Sequence, residues 1–185
     1  MFHSYVHIQE CANVAGKLAG SYELNEKEIE ILLLAVWFYF SGIKDNPKQY
    51  RLGSLKVAQE FLENKNYDEE STSAVLNLLR EEPSSTSSLK SQLLHDSLVS
   101  FKGRKRFFRK MELLRVEREM LFNKTYTDHD WANIVYRKLI DCTFFTDAAK
   151  QEYQKRKTKN KSKTRGRINK ANKYTSRIKT GKEYG

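Results

Sequence analysis

A chain of 185 residues is the length of one domain, and 39% hydrophobic with 31% charged residues at a net charge of +11 marks part of it as solvated rather than packed. The charge is unevenly placed: from Lys150 to Gly185 there are 14 Lys and Arg against two Glu, a net of +12, which leaves residues 1–149 at minus one. No apolar run approaches the roughly 20 residues that span a bilayer, and the first residues lack a signal peptide's basic start and apolar core, so no membrane partner is expected and a reducing cytoplasm is the expected location.

Helical periodicity runs through the body. From Tyr5 to Leu18 the small or apolar residues Ile8, Cys11, Ala12, Ala15 and Leu18 recur at intervals of three and four, and Gly20 is positioned to end that helix. Asn25-Glu26-Lys27-Glu28 has the form of a capping box and predicts a second helix to about Phe40, apolar over a broad enough arc to be the central one. Asp45-Asn46-Pro47 breaks the pattern, and a loop is expected to about Gly53. Ser54 is read as the cap of a third helix and Asp68 as the cap of a fourth.

Pro83 to Ser88 is a polar connector of turn-forming residues. A short helix is expected over Leu89–Phe101 and a longer one over 105–122, interleaved with Arg and Glu. Thr127 caps a helix bearing Trp131, Ile134, Val135 and Leu139, and Thr146 caps a last one that starts at Ala148 and Ala149. Nothing alternates at period two for long enough to propose a sheet, so the class is all-α. Cys11 and Cys142 lie far apart without metal-ligand spacing and are read as buried free thiols.

From Gln154 large apolar residues almost vanish, and without them the segment has little to offset an ordering cost of roughly 1–2 kcal/mol per residue. The expected organisation is a helical body over residues 1–153 and a basic C-terminal tail over 154–185, disordered or only partly helical until it meets a partner.

Three stretches carry a family resemblance. Phe2-His3-Ser4-Tyr5-Val6-His7, the helix end Trp37-Phe38-Tyr39-Phe40-Ser41-Gly42, and Leu94-His95-Asp96-Ser97-Leu98-Val99 together resemble the HD superfamily of helical metal-dependent phosphohydrolases in spacing and helix order. The resemblance implies a helical bundle holding divalent metal between helices, where imidazoles and carboxylates lower the pKa of a bound water that attacks phosphorus. His7 matches the first metal ligand. Tyr39 and Phe40 stand in the places of the His-Asp pair, Leu98 in the place of the later metal-binding Asp, Asp96 matches its non-ligand partner, and a further family His falls near Tyr50. One ligand of four cannot hold a catalytic ion, so no catalytic residue, no metal site and no cofactor is assigned. A degenerate cleft lined by His3, His7, Tyr39, Phe40, His95 and Asp96 is expected instead.

Two basic features suggest partners. Lys102, Arg104, Lys105 and Arg106, continued by Arg109 and Lys110, sit at the start of a helix, where they would hold phosphate at that cleft or form a solvated surface cluster balanced by Glu112, Glu117 and Glu119. In the tail, Lys155, Arg156, Lys157, Lys159, Lys161, Lys163, Arg165, Arg167, Lys170 and Lys173 are spaced by small polar residues, a pattern that suits contact with a phosphate backbone as well as a merely solubilising tail. The expected function is a non-catalytic, HD-like pseudoenzyme that binds a nucleotide, nucleic acid (RNA or DNA) or protein partner, the tail contacting polyanions. The alternatives are a residual phosphohydrolase or phosphodiesterase, for which a divalent metal would be expected, and a regulatory partner of an active HD paralogue.

Overall fold

The computed structural model describes residues 1–44 and 46–180, with residues 171–180 described as backbone only. Among them there is no strand. The helices are α1 (Tyr5–Ala19), α2 (Glu26–Phe38), α3 (Tyr50–Asn64), α4 (Glu69–Arg80), α5 (Leu89–Val99), α6 (Phe107–Phe122), α7 (Asp128–Ile140) and α8 (Asp147–Thr180), with a 3₁₀ turn over Ser100–Gly103. The all-α class is therefore met. No described helix is long and apolar enough to cross a membrane. Two compact units divide the chain: an N-terminal unit of Phe2–Ser100 with Phe144–Glu152, and a C-terminal unit of Phe101–Thr143 with the chain from Tyr153.

In the N-terminal unit α2 is the central element, in contact with α1, α3, α4 and α5. It buries Ile31, Leu32, Ala35 and Val36. Around it pack Ala15 and Leu18 of α1, Ala58 and Leu62 of α3, Val75 and Leu79 of α4, and Leu93 and Leu94 of α5, each essentially excluded from solvent. The helix starts follow the sequence. Asn25 accepts from the Glu28 amide at 2.9 Å while Glu28 accepts from the Asn25 amide at 3.1 Å, completing the capping box. Asp68 accepts from Ser71 N at 2.8 Å to open α4, and Ser88 from Ser91 N at 3.2 Å to open α5.

One expected cap is corrected. Helix α3 begins at Tyr50, so Ser54 lies inside it. Its Oγ donates to the Tyr39 carbonyl and accepts from the Gly42 amide, both at 3.0 Å. Ser54 thus ties α3 to the turn that ends α2. The two backbones meet glycine to glycine: a Cβ on Gly42 would lie 2.4 Å from the Tyr50 carbonyl oxygen and 2.5 Å from the Ser54 nitrogen, and one on Gly53 would lie 3.0 Å from Gly42 Cα.

In the C-terminal unit the core is Phe107, Met111 and Leu114 of α6 with Trp131, Val135 and Leu139 of α7. Arg115 joins the two helices, donating to Glu119 at 3.2 Å, to Asp128 at 2.7 Å and to the Tyr126 carbonyl. From Tyr153 onward α8 belongs to this unit, and it corrects the expected tail over 154–170. That stretch is continuous helix with Lys157, Asn160 and Thr164 buried. Asn160 Nδ2 donates to the carbonyls of Lys102 at 2.9 Å and Arg104 at 3.1 Å, and Lys157 Nζ donates to the Cys142 carbonyl. The ordering cost is met by polar side chains that reach main-chain carbonyls, a source of stability that an apolar census of the sequence leaves out. For residues 181–185 the expectation lies outside the described residues.

The glycine contact predicts that Gly42→Ala, which must push backbone against backbone, lowers stability by about 1–3 kcal/mol. Gly16→Ala, a helical site where an added Cβ meets nothing within 4 Å, is expected to be neutral or to gain up to about 1 kcal/mol. Urea denaturation of the two variants measures both.

Candidate functional site

The turn that ends α2 brings the expected aromatic residues together within the N-terminal unit. The His3 ring lies 4.3 Å from Phe40 and 6.2 Å from His7, and His7 lies 4.2 Å from Phe2 and 6.4 Å from Phe40. On the other side Phe40 is 4.9 Å from Tyr39 and 5.6 Å from Tyr50, with Tyr39 and Tyr50 at 6.2 Å. The Gly42–Ser54 tie sets this arrangement, because it fixes Tyr39 and Phe40 against the first turn of α3. His7 is fully buried, and the Cys11 sulfur one helical turn on lies 3.9 and 4.0 Å from its two ring nitrogens. Burial, and then the neighbouring Tyr39, pushes the Tyr50 phenol well above its usual range, so it stays neutral.

His95 and Asp96 do other work. Asp96 is fully buried and accepts from Phe145 N at 2.9 Å, Thr146 N at 2.8 Å and Thr146 Oγ1 at 2.7 Å. Thr146 Oγ1 in turn accepts from Ala149 N at 3.3 Å, so the carboxylate fixes the cap of α8. The His95 ring packs on Phe145 at 4.7 Å. The expected membership of Asp96 in a ligand cleft is therefore corrected: its oxygens are taken up by the chain itself.

The donor chemistry of the aromatic cluster does not fit a divalent ion. His3 and His7 supply imidazoles, and Tyr39, Phe40 and Tyr50 supply no carboxylate, whereas magnesium or manganese needs several oxygen ligands. Among the described residues no three His, Cys, Asp or Glu side chains converge to hold a metal. Comparison with known protein families, curated proteins and solved structures found no match.

The basic residues fall into two sets. On α8, Lys155, Lys159, Lys161, Lys163, Arg165, Arg167 and Lys170 are exposed and Arg156 is half-buried. Lys157 departs from the expected phosphate contacts because it is turned inward. The Lys173 side chain lies outside the described residues. Arg167 also stacks on Phe108, 4.0 Å from the ring centre, at the mouth of a cleft of about 370 Å³ floored by Met111, Trp131 and Val135. Lys105 and Arg106 are exposed, while Arg104 lies over the Tyr153 ring at 5.6 Å.

In the second set, Lys102 belongs to the basic cluster expected ahead of α6, and Lys138 was not among the expected site residues. Lys102 and Lys138 are half-buried, and both ammonium groups are held below the usual lysine range. Burial is the main cause for each; Lys157 adds repulsion at Lys102, and Lys102 with Arg118 adds repulsion at Lys138. The signal was present in the sequence as a charge on an apolar stripe: Lys138 follows Trp131 and Val135 at helical spacing, and Arg118 follows Phe107, Met111 and Leu114.

A lysine with a lowered folded pKa makes the unfolded state the better proton binder between that value and the ordinary one, about 10.4. Stability should therefore rise as pH climbs through the window just below that ordinary value. Urea denaturation across that window should show the rise, and Lys138→Met should flatten it.

Proposed function

We propose that this chain is a non-catalytic, HD-like domain that binds nucleic acid through the outer face of α8. One observation carries the reading: the buried positions Tyr153, Lys157, Asn160 and Thr164 take one side of the helix and turn Lys155, Lys159, Lys163 and Lys170 outward as a single stripe. At 1.5 Å per residue that stripe runs about 22 Å, which is the span of roughly six phosphates on one strand of B-DNA. A helix-borne row of lysines reads backbone charge and carries no base code, so the binding is electrostatic and tolerant of sequence. The non-catalytic part of the proposal is supported by the aromatic rings packed at the end of α2 and by a donor set that lacks carboxylates. Two buried free thiols suit a reducing cytoplasm.

Because α8 packs through Lys157, Asn160 and Thr164, truncation would strip the C-terminal unit, and neutralising exposed cations is the cleaner test. The variant Lys155→Gln/Lys159→Gln/Lys163→Gln should keep its thermal stability, bind a 20-nucleotide strand or duplex about 10- to 100-fold more weakly at 50 mM salt, and show a log–log salt slope shallower by about three. Unchanged affinity in this variant would remove α8 from the interface. Elemental analysis of the purified chain is expected to find less than one transition-metal ion per ten molecules, and a stoichiometric ion would return metal-dependent hydrolysis as the leading function.

A further inference from the structure

Three helices of the C-terminal unit enclose the cleft of about 370 Å³. Met111 of α6 with Trp131 and Val135 of α7 form its floor, and all three are buried. Four charged side chains stand around it: Glu112 and Arg115 from α6, Asp128 from α7 and Arg167 from α8. Arg115 is held by Glu119, Asp128 and the Tyr126 carbonyl, which braces the rim, and the Arg167 guanidinium rests over the Phe108 ring at 4.0 Å. The Trp131 Nε1 is buried with no hydrogen-bond partner among the described residues, although a buried indole N–H ordinarily has one.

The cleft is at the small end of the roughly 300–1,000 Å³ of ligand pockets, with room for a single ring system. An apolar floor disfavours a bare anion, and the acids Glu112 and Asp128 repel one further. The charged rim in turn disfavours a hydrocarbon chain. A planar heteroaromatic ring, apolar on its faces and carrying donors and acceptors at its edge, satisfies both conditions. The place of the cleft in the fold narrows the source of that ring. Thr164 lines it next to Lys163 in the chain, and Arg167 lies one helical turn beyond Lys163 and three residues before Lys170, so the cleft opens beside the outward lysines of α8.

We propose that this cleft receives one unstacked base of a single nucleic-acid strand whose phosphates run along the α8 stripe. The inference rests on the nucleic-acid reading of α8 and deepens it, because a row of lysines does not separate a single strand from a duplex, whereas a base enters the cleft only when it is free of its pair and its stack. The faces of the base pack on Met111 and Val135, an acceptor on its edge is the partner for Trp131 Nε1, and Arg167 borders it as a planar cation.

The chain has two Trp residues, so Trp37→Phe leaves Trp131 as its one indole, and that ring is too deeply buried for a strand on the outer face of α8 to reach. The test titrates the full-length Trp37→Phe chain at 50 mM salt with a 20-nucleotide single strand, the same strand made abasic throughout, and the duplex. The single strand should change Trp131 emission saturably and bind about 5- to 100-fold tighter than the abasic strand. The abasic strand and the duplex should bind through the stripe and leave the emission unchanged. Adding Ala132→Leu, which fills the cleft from α7, should bring the single strand down to the abasic affinity and leave the abasic strand where it was. Emission unmoved by saturating single strand, a duplex that moves it equally, or a single strand that binds no tighter than the abasic one would overturn the cleft and leave the stripe standing. No binding of any of the three ligands would remove the stripe and the cleft together.

Discussion

The long basic helix is held by side-chain donors that reach main-chain carbonyls. Asn160 spans the carbonyls of Lys102 and Arg104, and Lys157 reaches that of Cys142. These bonds fix the rotation of α8 about its axis, and that rotation decides which cations face outward. The energetics fit in sign and size. Lysines four apart repel by roughly 0.2–0.5 kcal/mol per pair on an exposed helix, whereas each hydrogen bond returns about 0.5–1.5 kcal/mol net, more when the donor is charged. The polar dock is thus of the same size as the repulsion, and a bound polyanion would reduce the repulsion.

The same economy of contacts shapes the N-terminal unit. Gly42 and Gly53 let the end of α2 and the first turns of α3 touch at backbone distance, and Ser54 locks them. Tyr39 and Phe40 are held there facing Tyr50, His3 and His7, and the region is filled by rings in mutual contact. Such packing is favourable on its own account, at about 0.5–1.5 kcal/mol per aromatic pair beyond burial. It is in keeping with the proposal of a non-catalytic binding domain.

Local rules made much of this fold legible in the sequence. The Asn25–Glu28 box, the caps at Asp68, Thr127 and Thr146, and the apolar row of α1 all depend on residues a few positions apart, and each formed where the spacing placed it. What escaped was long-range. Ser54 resembles a cap by composition, but its partners Tyr39 and Gly42 are 15 and 12 residues away. Asp96 has the neighbours of a ligand motif, and only the return of the chain at Phe145 and Thr146 shows that it serves as a structural acceptor. The segment from Gln154 has few apolar residues, and its order rests on hydrogen bonds from Lys157 to Cys142 and from Asn160 to Lys102, 15 and 58 residues away.

The central claim is that the outward lysine stripe of α8 is the surface that meets nucleic acid. Lysine acetylation rates, read residue by residue by mass spectrometry with and without a saturating 20-nucleotide strand or duplex at 50 mM salt, test it most directly. The account predicts at least several-fold protection at Lys155, Lys159, Lys163 and Lys170, with the exposed Lys44, Lys48 and Lys56 of the N-terminal unit unchanged. Equal rates along α8 in the presence and absence of saturating nucleic acid, or protection confined to the N-terminal unit, would contradict it.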